Sequence, residues 1–433
     1  MGSSSSSPNP KPRGALSWAL YDLANTIYSM NVVSLFFVQW VTVDRGREDF
    51  WFSLFYGGSM LLVALTLPYL GLWSDRRGRR LPFLAIFTLV CVLATAALGP
   101  LTKATTTVGL VLALVAFALS NYAFQGGLVF YNSLLPSVST KSTRGRISGF
   151  GVALGYLGSF LGMLLVVPLV EGKMPIFNWE PGFIEAGGRT AAFIPTAILV
   201  ALFALPIFLR VKEAPATGGS KPSWNEAFRD LKAIVTDRER YPGVGWFLLA
   251  NFFVLDAIHT AIVFMSVYAE KVVGLPDSAK ATFFMLATIP AIFGSFFAGW
   301  LSDRIGPKRV FTVTVWLWVV VPIVIAVAVS PKVFYAMGIV VGLLLGTLWT
   351  VTRPFLLSLA PAGDEGRLFG VYAFCNKSAA VLGPQVWALT VFLGSSLGPA
   401  KYRLAIIVLA GVAAIGALIL RKVPDPSKAR TSN

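Results

Sequence analysis

The chain is poor in the residues that form disulfides and hold metals. Its 433 residues include two cysteines, Cys91 and Cys375, and one histidine, His259. Both cysteines lie within apolar runs, and no Cys or His spacing fits a metal site, so we expect neither disulfide nor zinc. Charged residues make up only 13% of the chain, against about 25% in soluble domains. This composition excludes an ordinary soluble domain.

Catalytic patterns are missing as well. The sequence has no ATP-binding motif, no pair of catalytic acids and no nucleophile–base arrangement. We therefore expect no enzymatic activity, no cofactor and no resident metal. The net charge of +16 does not indicate a nucleic-acid partner, because the basic residues lie in short segments between apolar runs rather than in a soluble basic domain.

Long apolar runs are abundant instead. The chain is 56% hydrophobic, and runs of about 20 apolar residues, each long enough to cross a bilayer as a helix, recur throughout. They predict an all-α polytopic membrane protein with twelve transmembrane helices. The predicted spans are 14–43, 50–73, 81–102, 107–134, 146–170, 190–210, 243–270, 278–301, 309–330, 333–358, 367–394 and 402–421.

A repeated motif divides these spans into two sets of six. Residues 71–80 (GLWSDRRGRR) return in altered form at 299–309 (GWLSDRIGPKR), an offset of 228 residues, and both copies lie between apolar runs. Such duplication is typical of transporters built from two related halves. We predict pseudo-symmetric six-helix bundles at 14–210 and 242–422, a linker at 211–241, a disordered tail at 1–13 and a second tail at 423–433.

The basic residues predict the orientation. If the N-terminus is cytoplasmic, most of the 36 Lys and Arg residues fall on the cytoplasmic side, so both termini are expected there. In the linker, Trp224, Phe228, Leu231 and Val235 have helical spacing. They predict either an amphipathic helix with its apolar side on the inner membrane surface, or a solvated tether.

The hairpin motif resembles the signature between spans two and three of the major facilitator superfamily. Within it, residues 17–26 (SWALYDLANT), 131–136 (YNSLLP) and 146–158 (RISGFGVALGYLG) resemble the vacuole-effluxer-like branch of autophagy-related permeases. One departure is Asp256-Ala257, where that branch has Asp-Gly. The branch includes fungal vacuolar proteins associated with amino-acid efflux and many bacterial members.

The resemblance implies a secondary active transporter that moves a small polar solute by alternating access. The resemblance also fits coupling to protons and the efflux of an amino acid or another small metabolite. Alternatives are a drug or sugar transporter of the same fold, or a membrane receptor derived from one. The expected partners are solute, protons and lipid, the expected state is a monomer, and the expected location is a bacterial inner membrane.

Ionisable and polar residues within the spans are the candidates for the solute or proton site, because charge inside a bilayer normally faces a cavity or a partner. In the first half, Asp22 and Asn25 share one face of span one, and Asn121 and Gln125 share a face of span four. Asp22 is the expected proton carrier. The alternatives are a static hydrogen bond or ion pair for Asp22, and interhelical hydrogen bonds for the amides.

In the second half, Asp256 and His259 share a face of span seven, Arg353 lies in span ten and Lys377 in span eleven. The two cations either receive an anionic group of the solute or neutralise Asp22 and Asp256. His259 is either a proton-handling group or a packing residue. The superfamily resemblance implies that Asp22, Gln125, Asp256 and Arg353 line the central cavity.

The two hairpins are the expected gating elements. Their glycines permit close helix approach, and their acids are expected to meet the N-terminus of a neighbouring helix, whose partial positive charge attracts anions. Contacts that exist in only one conformation set the inward–outward equilibrium. A purely topogenic role is the alternative. The residues concerned are Gly71, Asp75, Arg76, Gly78, Arg79, Gly299, Asp303, Arg304 and Gly306.

Overall fold

The computed structural model describes residues 12–47, 49–172, 185–213, 219–274, 277–327, 330–359, 361 and 363–425. Regular structure in these ranges is entirely helical, without a strand, so the all-α prediction is confirmed. Most of the predicted disordered tail 1–13 lies outside the described residues, and helix begins at Pro12. Residues 426–433 of the second predicted tail also lie outside them.

The first half of the chain forms six long helices where the apolar runs predict them. The first, α1 (Pro12–Tyr28), continues through π-helical turns at Ser29–Phe36 and Trp40–Asp44. The other five are α2 (Asp49–Arg77), α3 (Leu81–Lys103), α4 (Thr107–Ser133), α5 (Arg144–Glu171) and α6 (Phe193–Arg210).

A shorter helix, α7 (Trp224–Thr236), lies in the linker, and six more long helices follow it. They are α8 (Val244–Lys271), α9 (Asp277–Ile305), α10 (Pro307–Val327), α11 (Pro331–Ser358), α12 (Glu365–Leu393) and α13 (Ala400–Leu420).

Within the described ranges, nine helices are long and apolar enough to cross a membrane. They are α2 to α6, α8, α10, α11 and α13. The other three predicted spans are helical too and correspond to α1 with its π-helical extension, α9 and α12. The α-helical part of α1 is only 17 residues long.

The helices group into two compact units, Met1–Phe55 with Arg79–Pro215, and Tyr56–Gly78 with Ala216–Asn433. Most of α2 therefore groups with the second half of the chain. Within the first unit, α1 packs on α5 and α6, and α3 packs on α4 and α6. The second unit repeats this scheme, since α8 packs on α12 and α13, and α10 packs on α11 and α13. The repeat seen in the sequence is thus also a repeat of helix packing.

Glycines allow the closest of these helix pairs to form. In the first unit, a Cβ on Gly158 of α5 would lie 2.5 Å from the Leu23 carbonyl oxygen of α1. In the second unit, a Cβ on Gly342 or Gly346 of α11 would collide with the backbone of α9. Small residues at such crossings let two membrane helices pack backbone against backbone.

The linker helix forms, and it packs on the protein through a face beside the predicted apolar stripe. A capping box between Ser223 and Glu226 begins α7 and satisfies two backbone donors. Ala227 and Ile234 are buried at 4% and 1% exposure. Trp224 and Val235, two members of the predicted apolar stripe, are 50% and 45% exposed. The helix therefore packs on the protein through the neighbouring face, and part of the predicted stripe stays exposed.

Candidate solute site and gating contacts

In the first unit, α1 carries the acid predicted to lie within the membrane. Asp22 and Asn25 are one turn apart and are buried, at 7% and 8% exposure. The Asp22 carboxylate is close enough to the Tyr156 ring of α5 for its charge to act on the phenol. The Asn25 Nδ2 atom is enclosed and makes no hydrogen bond to any residue that the structure describes. The α1 stripe thus holds a buried carboxylate at Asp22 and, one turn later, an amide donor at Asn25 with no partner among the described residues.

The first-half candidates on α4 lie near this stripe. Asn121 is fully buried, and Gln125, one turn later on the same face, is partly exposed. Next to Asn121, the Ser120 Oγ atom lies 2.7 Å from the Tyr28 hydroxyl of α1 in a hydrogen bond. This contact joins α1 and α4 one turn from Asn25, so the two pairs of candidates lie in one region of the first unit.

In the second unit, Asp256 of α8 is held by the backbone of α12. It is 3% exposed, and its Oδ1 atom accepts a 2.6 Å hydrogen bond from the Gly383 N–H. Gly383 precedes Pro384, which cannot donate to the helix and disturbs the bonding of the turn before it. Across the described part of this unit, Asp256 forms no ion pair. The neutralisation by Arg353 or Lys377 that one interpretation predicts is therefore not formed within this unit.

His259 lies one turn after Asp256 and stacks on Trp349 of α11, with ring centroids 5.9 Å apart. Its Nδ1 atom is enclosed and has no hydrogen-bond partner among the described residues. The Lys377 ammonium of α12 is close enough for its charge to act on the imidazole. Lys377 forms no ion pair with a carboxylate in the described ranges. Both side chains are partly exposed.

A polar contact between α8 and α12 lies directly beside Lys377. The Asn251 Nδ2 atom donates to the Asn376 Oδ1 atom over 3.0 Å. Tyr372, one turn before Asn376, lies near both amides, and the charge of Arg353 on α11 acts on its ring. The three helices α8, α11 and α12 therefore bring the second-half candidates into one cluster. Sequence reasoning missed Trp349, Asn251 and Asn376, because aromatic and amide residues are common in membrane helices.

The acid of the first hairpin meets the first turn of α12. The two carboxylate oxygens of Asp75 accept hydrogen bonds from the N–H groups of Gly366 and Arg367, each over 2.8 Å. These donors have no partner within their own helix, and the helix dipole favours negative charge there. Gly71, one turn earlier, touches the same place, since a Cβ on it would lie 2.5 Å from the Gly366 oxygen. Asp75 thus makes the expected contact with a helix N-terminus.

The linker helix α7 forms two ion pairs beside this contact, one with the hairpin and one with α12. Arg76 of the hairpin pairs with Glu226 over 3.2 Å, and Arg367 of α12 pairs with Asp230 over 2.6 Å. The backbone N–H of Ser223 and the Arg76 guanidinium hold the pKa of the Glu226 carboxyl below its ordinary value. The two acids lie one turn apart on α7. Their spacing in the sequence would have indicated an acidic face on the linker helix.

The end of the linker adds a further carboxylate to this network. Asp364, just before α12, pairs with Arg367 and accepts a 2.7 Å hydrogen bond from the Tyr241 hydroxyl. Arg240 approaches the same carboxylate at 3.2 Å. Burial, together with donation to Asp364, raises the pKa of the Tyr241 phenol. The linker therefore contacts the start of α12 at two places, through Asp230 in α7 and through Arg240 and Tyr241 at its end.

The glycines that end the two motifs have similar backbone geometry. Gly78 and Gly306 have φ angles of +64° and +91°, which side chains rarely adopt, and they reverse the chain after α2 and α9. In the second copy, the Arg304 guanidinium lies 4.2 Å from the centroid of the Trp300 ring. The remaining motif residues lie at the same helix ends, Arg79 exposed after α2, Gly299 buried in α9 and Asp303 partly exposed there.

A second carboxylate at a helix N-terminus occurs within the first unit. Glu213, after α6, accepts hydrogen bonds from the N–H groups of Arg80 and Leu81 at the start of α3, over 2.6 and 2.8 Å. The chemistry is that of Asp75 at α12, but the acid comes from outside both motifs. Sequence reasoning missed it, because nothing near Glu213 indicates which helix it meets.

Comparison with known proteins places the chain in one family. The family model described as "Vacuole effluxer Atg22 like" matches residues 37–423. An uncharacterised transporter of the major facilitator type from Bacillus subtilis, YxiO, is 24% identical over 423 residues and aligns over 96% of both chains. Autophagy-related protein 22-1 of Penicillium rubens is 23% identical over 288 residues, which are 61% of this chain and 47% of that protein.

Solved structures agree on the fold. The human organic anion transporter MFSD10 superposes with a TM-score of 0.73 at 14% identity, over 95% of this chain and 100% of that one. The fucose:proton symporter FucP of Escherichia coli superposes with a TM-score of 0.70 at 15% identity, over 95% and 98%. At such low identity these likenesses establish the architecture of a major facilitator transporter and not the solute.

Proposed function

Since the chain belongs to the family of Atg22-like vacuole effluxers and has the fold of the major facilitator superfamily, we propose that it moves a small polar solute by alternating access. It is a multi-pass integral membrane protein and a transporter by family. Proton coupling, the direction of transport and the class of solute are parts of the proposal. Efflux of an amino acid or a similar metabolite is the form that we favour.

The contact between Asp75 and the first turn of α12 carries this proposal. It is a charged hydrogen bond to the unsatisfied donors of a helix end, so water and those donors compete for the same carboxylate. Such a contact can break and re-form at moderate cost. Alternating access requires contacts of this kind, made in one conformation and released in the other.

Proton coupling is proposed for Asp22. No ATP-binding motif is present in the sequence, so uphill transport has to use an ion gradient. A buried carboxylate binds a proton more readily when its surroundings are dry and releases it when water or a cation reaches it. Asp22 sits in the middle of its helix at 7% exposure, which is where a carrier alternating between two sides is needed.

The proposed orientation follows the basic residues. The hairpin motif carries four arginines, and the linker helix pairs with one of them through Glu226. We assign that side to the cytoplasm. Both termini then lie in the cytoplasm, and a bacterial inner membrane is the proposed location. We propose a monomer that needs only lipid, solute and protons, with no nucleic-acid partner and no enzymatic step.

Reconstitution tests the function directly. Purified full-length protein is placed in liposomes loaded with a mixture of labelled amino acids, sugars and organic acids, and efflux is measured with and without an imposed pH gradient. We expect at least one solute to move, and to move faster when the gradient is present. Liposomes without protein and liposomes with Gly71→Leu protein are the controls.

The outcomes separate transport from its alternatives. Binding of a solute without any flux would favour the receptor interpretation over transport. Flux that ignores the pH gradient would remove proton coupling while leaving the transporter in place. Movement of sugars alone would replace the proposed solute class.

A further inference from the structure

We infer that the cluster of α8, α11 and α12 binds the carboxylate group of the solute, with Lys377 and His259 as its direct contacts. The inference rests on the proposed transport function and names the solute class, a small monocarboxylate. The site comprises His259 of α8, Trp349 and Arg353 of α11, and Asn376 and Lys377 of α12.

Charge is the first argument. Lys377 lies in the middle of α12, where an ammonium group needs a partner or water. No carboxylate pairs with it among the described residues. Asp256, the one acid that the sequence places in the middle of this half, is turned to the Gly383 N–H instead. The cluster therefore has a positive charge that its own acid does not neutralise, and an anionic ligand would complete it.

The donor geometry is the second argument. The imidazole of His259 is within the electrostatic reach of Lys377, and its enclosed Nδ1 atom has no partner in the described part of the protein. A carboxylate has two oxygens, so it can accept a charged hydrogen bond from the ammonium and a neutral one from an imidazole N–H. The Asn251–Asn376 hydrogen bond holds α8 against α12 beside Lys377. The hydrogen bond thus sets the main chain of α12 at Lys377 beside α8.

The residues beside the two donors indicate the chemical character of the rest of the solute. The Trp349 ring already stacks on His259, with centroids 5.9 Å apart, and is partly exposed. An indole face next to the donors offers an apolar surface for the carbon skeleton of a small acid. The cluster thus has a polar end for the carboxylate and an apolar end beside it.

A monocarboxylate fits this site better than a phosphate or an organic cation. A phosphate monoester carries nearly two negative charges at neutral pH, and proteins usually meet it with arginine forks or several donors. Here one lysine is available without an acidic partner. A cation would have to approach that ammonium and would be repelled by it.

The test compares matched pairs of ligands that differ only in charge. Thermal unfolding of the purified full-length protein is measured with benzoate and benzamide, and with each common amino acid and its amide, together with inorganic phosphate. We expect at least one carboxylate to stabilise the wild type while its amide does not. Lys377→Gln should weaken that carboxylate about tenfold or more, as the loss of a charged hydrogen bond does.

Three further variants make the result specific. Lys377→Arg keeps the charge and should retain the preference for carboxylates. Lys332→Gln removes a lysine from the exposed start of α11 and should change nothing. His259→Phe keeps an aromatic ring but removes the N–H donor, and it should weaken carboxylates less than Lys377→Gln does. Size-exclusion profiles establish that each variant is folded.

Several outcomes would overturn the assignment. They are a wild type that no carboxylate stabilises, one that amides or phosphate stabilise equally, and a Lys377→Gln protein that keeps the carboxylate preference. Failure of the transport function looks different, since carboxylates would then bind with the expected charge dependence but never cross the liposome membrane. Flux of neutral or cationic solutes only would leave transport in place and remove the carboxylate site.

Discussion

Asp75 and Gly366 are joined by a 2.8 Å hydrogen bond between a side-chain oxygen and a backbone N–H, 291 residues apart in sequence. The same carboxylate also holds the next N–H of α12, over 2.8 Å. Asp75 of the hairpin therefore binds main-chain N–H groups at the end of a helix and not a particular side chain. Because both donors are otherwise unsatisfied, the contact combines hydrogen bonding with the attraction of the helix dipole.

Asp75→Asn should loosen the first turn of α12. An asparagine keeps one acceptor but loses the charge and one of the two hydrogen bonds, so we expect a cost of about 1–3 kcal/mol. Hydrogen exchange at the Gly366 and Arg367 amides should become about tenfold faster. Glu239→Gln, at an exposed position of the linker, is the control. Equal protection in both variants would show that the contact does not hold the helix.

Gly71→Ala should destabilise the protein, whereas Gly57→Ala in the same helix should not. A Cβ on Gly71 would lie 2.5 Å from the Gly366 oxygen, while one on Gly57 meets nothing within 4 Å. We expect a loss of about 1–3 kcal/mol for the first substitution, the usual cost of overpacking. The second should give a small gain, because alanine favours helix. Thermal unfolding in detergent compares them, and similar midpoints would contradict the close approach.

Acid should detach the linker helix from the hairpin. The pKa of Glu226 is lower in the folded protein than its ordinary value of 4.5. The stabilisation by this carboxylate is therefore present above pH 4.5 and is lost as the pH falls through the lowered value. Deuterium uptake by residues 224–236, corrected for intrinsic rates, should rise below pH 4.5. In Glu226→Gln the uptake should be high throughout, and a pH response that persists there would assign the effect to another group.

Asp22→Asn should abolish uptake driven by a pH gradient and leave solute exchange partly intact. The amide is similar in size but cannot carry a proton, so only the coupled step is lost. Glu171→Gln, at the exposed end of α5, should transport as the wild type does. The measurement is gradient-driven uptake against counterflow in the same liposomes. An unchanged pH dependence would remove Asp22 from the coupling role.

Much of the architecture follows from the sequence, for simple reasons. A run of about 20 apolar residues can satisfy its backbone in a bilayer only as a helix. Duplicated motifs such as 71–80 and 299–309 indicate that the packing of the helices in the two halves is repeated too. The contact of Asp75 with a helix end could also be predicted, because an acid recurs in both copies of the basic hairpin and helix N-termini attract anions.

Other features of the structure could not be predicted from the sequence. They depend on how each helix is rotated about its axis and on which helix lies next to it. The apolar stripe of α7 begins at Trp224, but nothing in it indicates that the adjacent face, with Ala227 and Ile234, packs on the protein beside the ion pairs of Glu226 and Asp230. Trp349 is one of twelve tryptophans in the chain, and only the folded structure shows that its ring stacks on His259. That most of α2 groups with the second half has no counterpart in the sequence pattern at all.

Because Asp75 binds main-chain N–H groups, few substitutions can compensate for the loss of its carboxylate. Every residue except proline offers an N–H, so no change of side chain at positions 366 or 367 supplies the lost attraction once the carboxylate at position 75 is gone. Second-site substitutions that restore the function of such a variant should therefore lie at other positions than 366 and 367. The pairs of the linker helix, Glu226 with Arg76 and Asp230 with Arg367, are where compensating charge can be added.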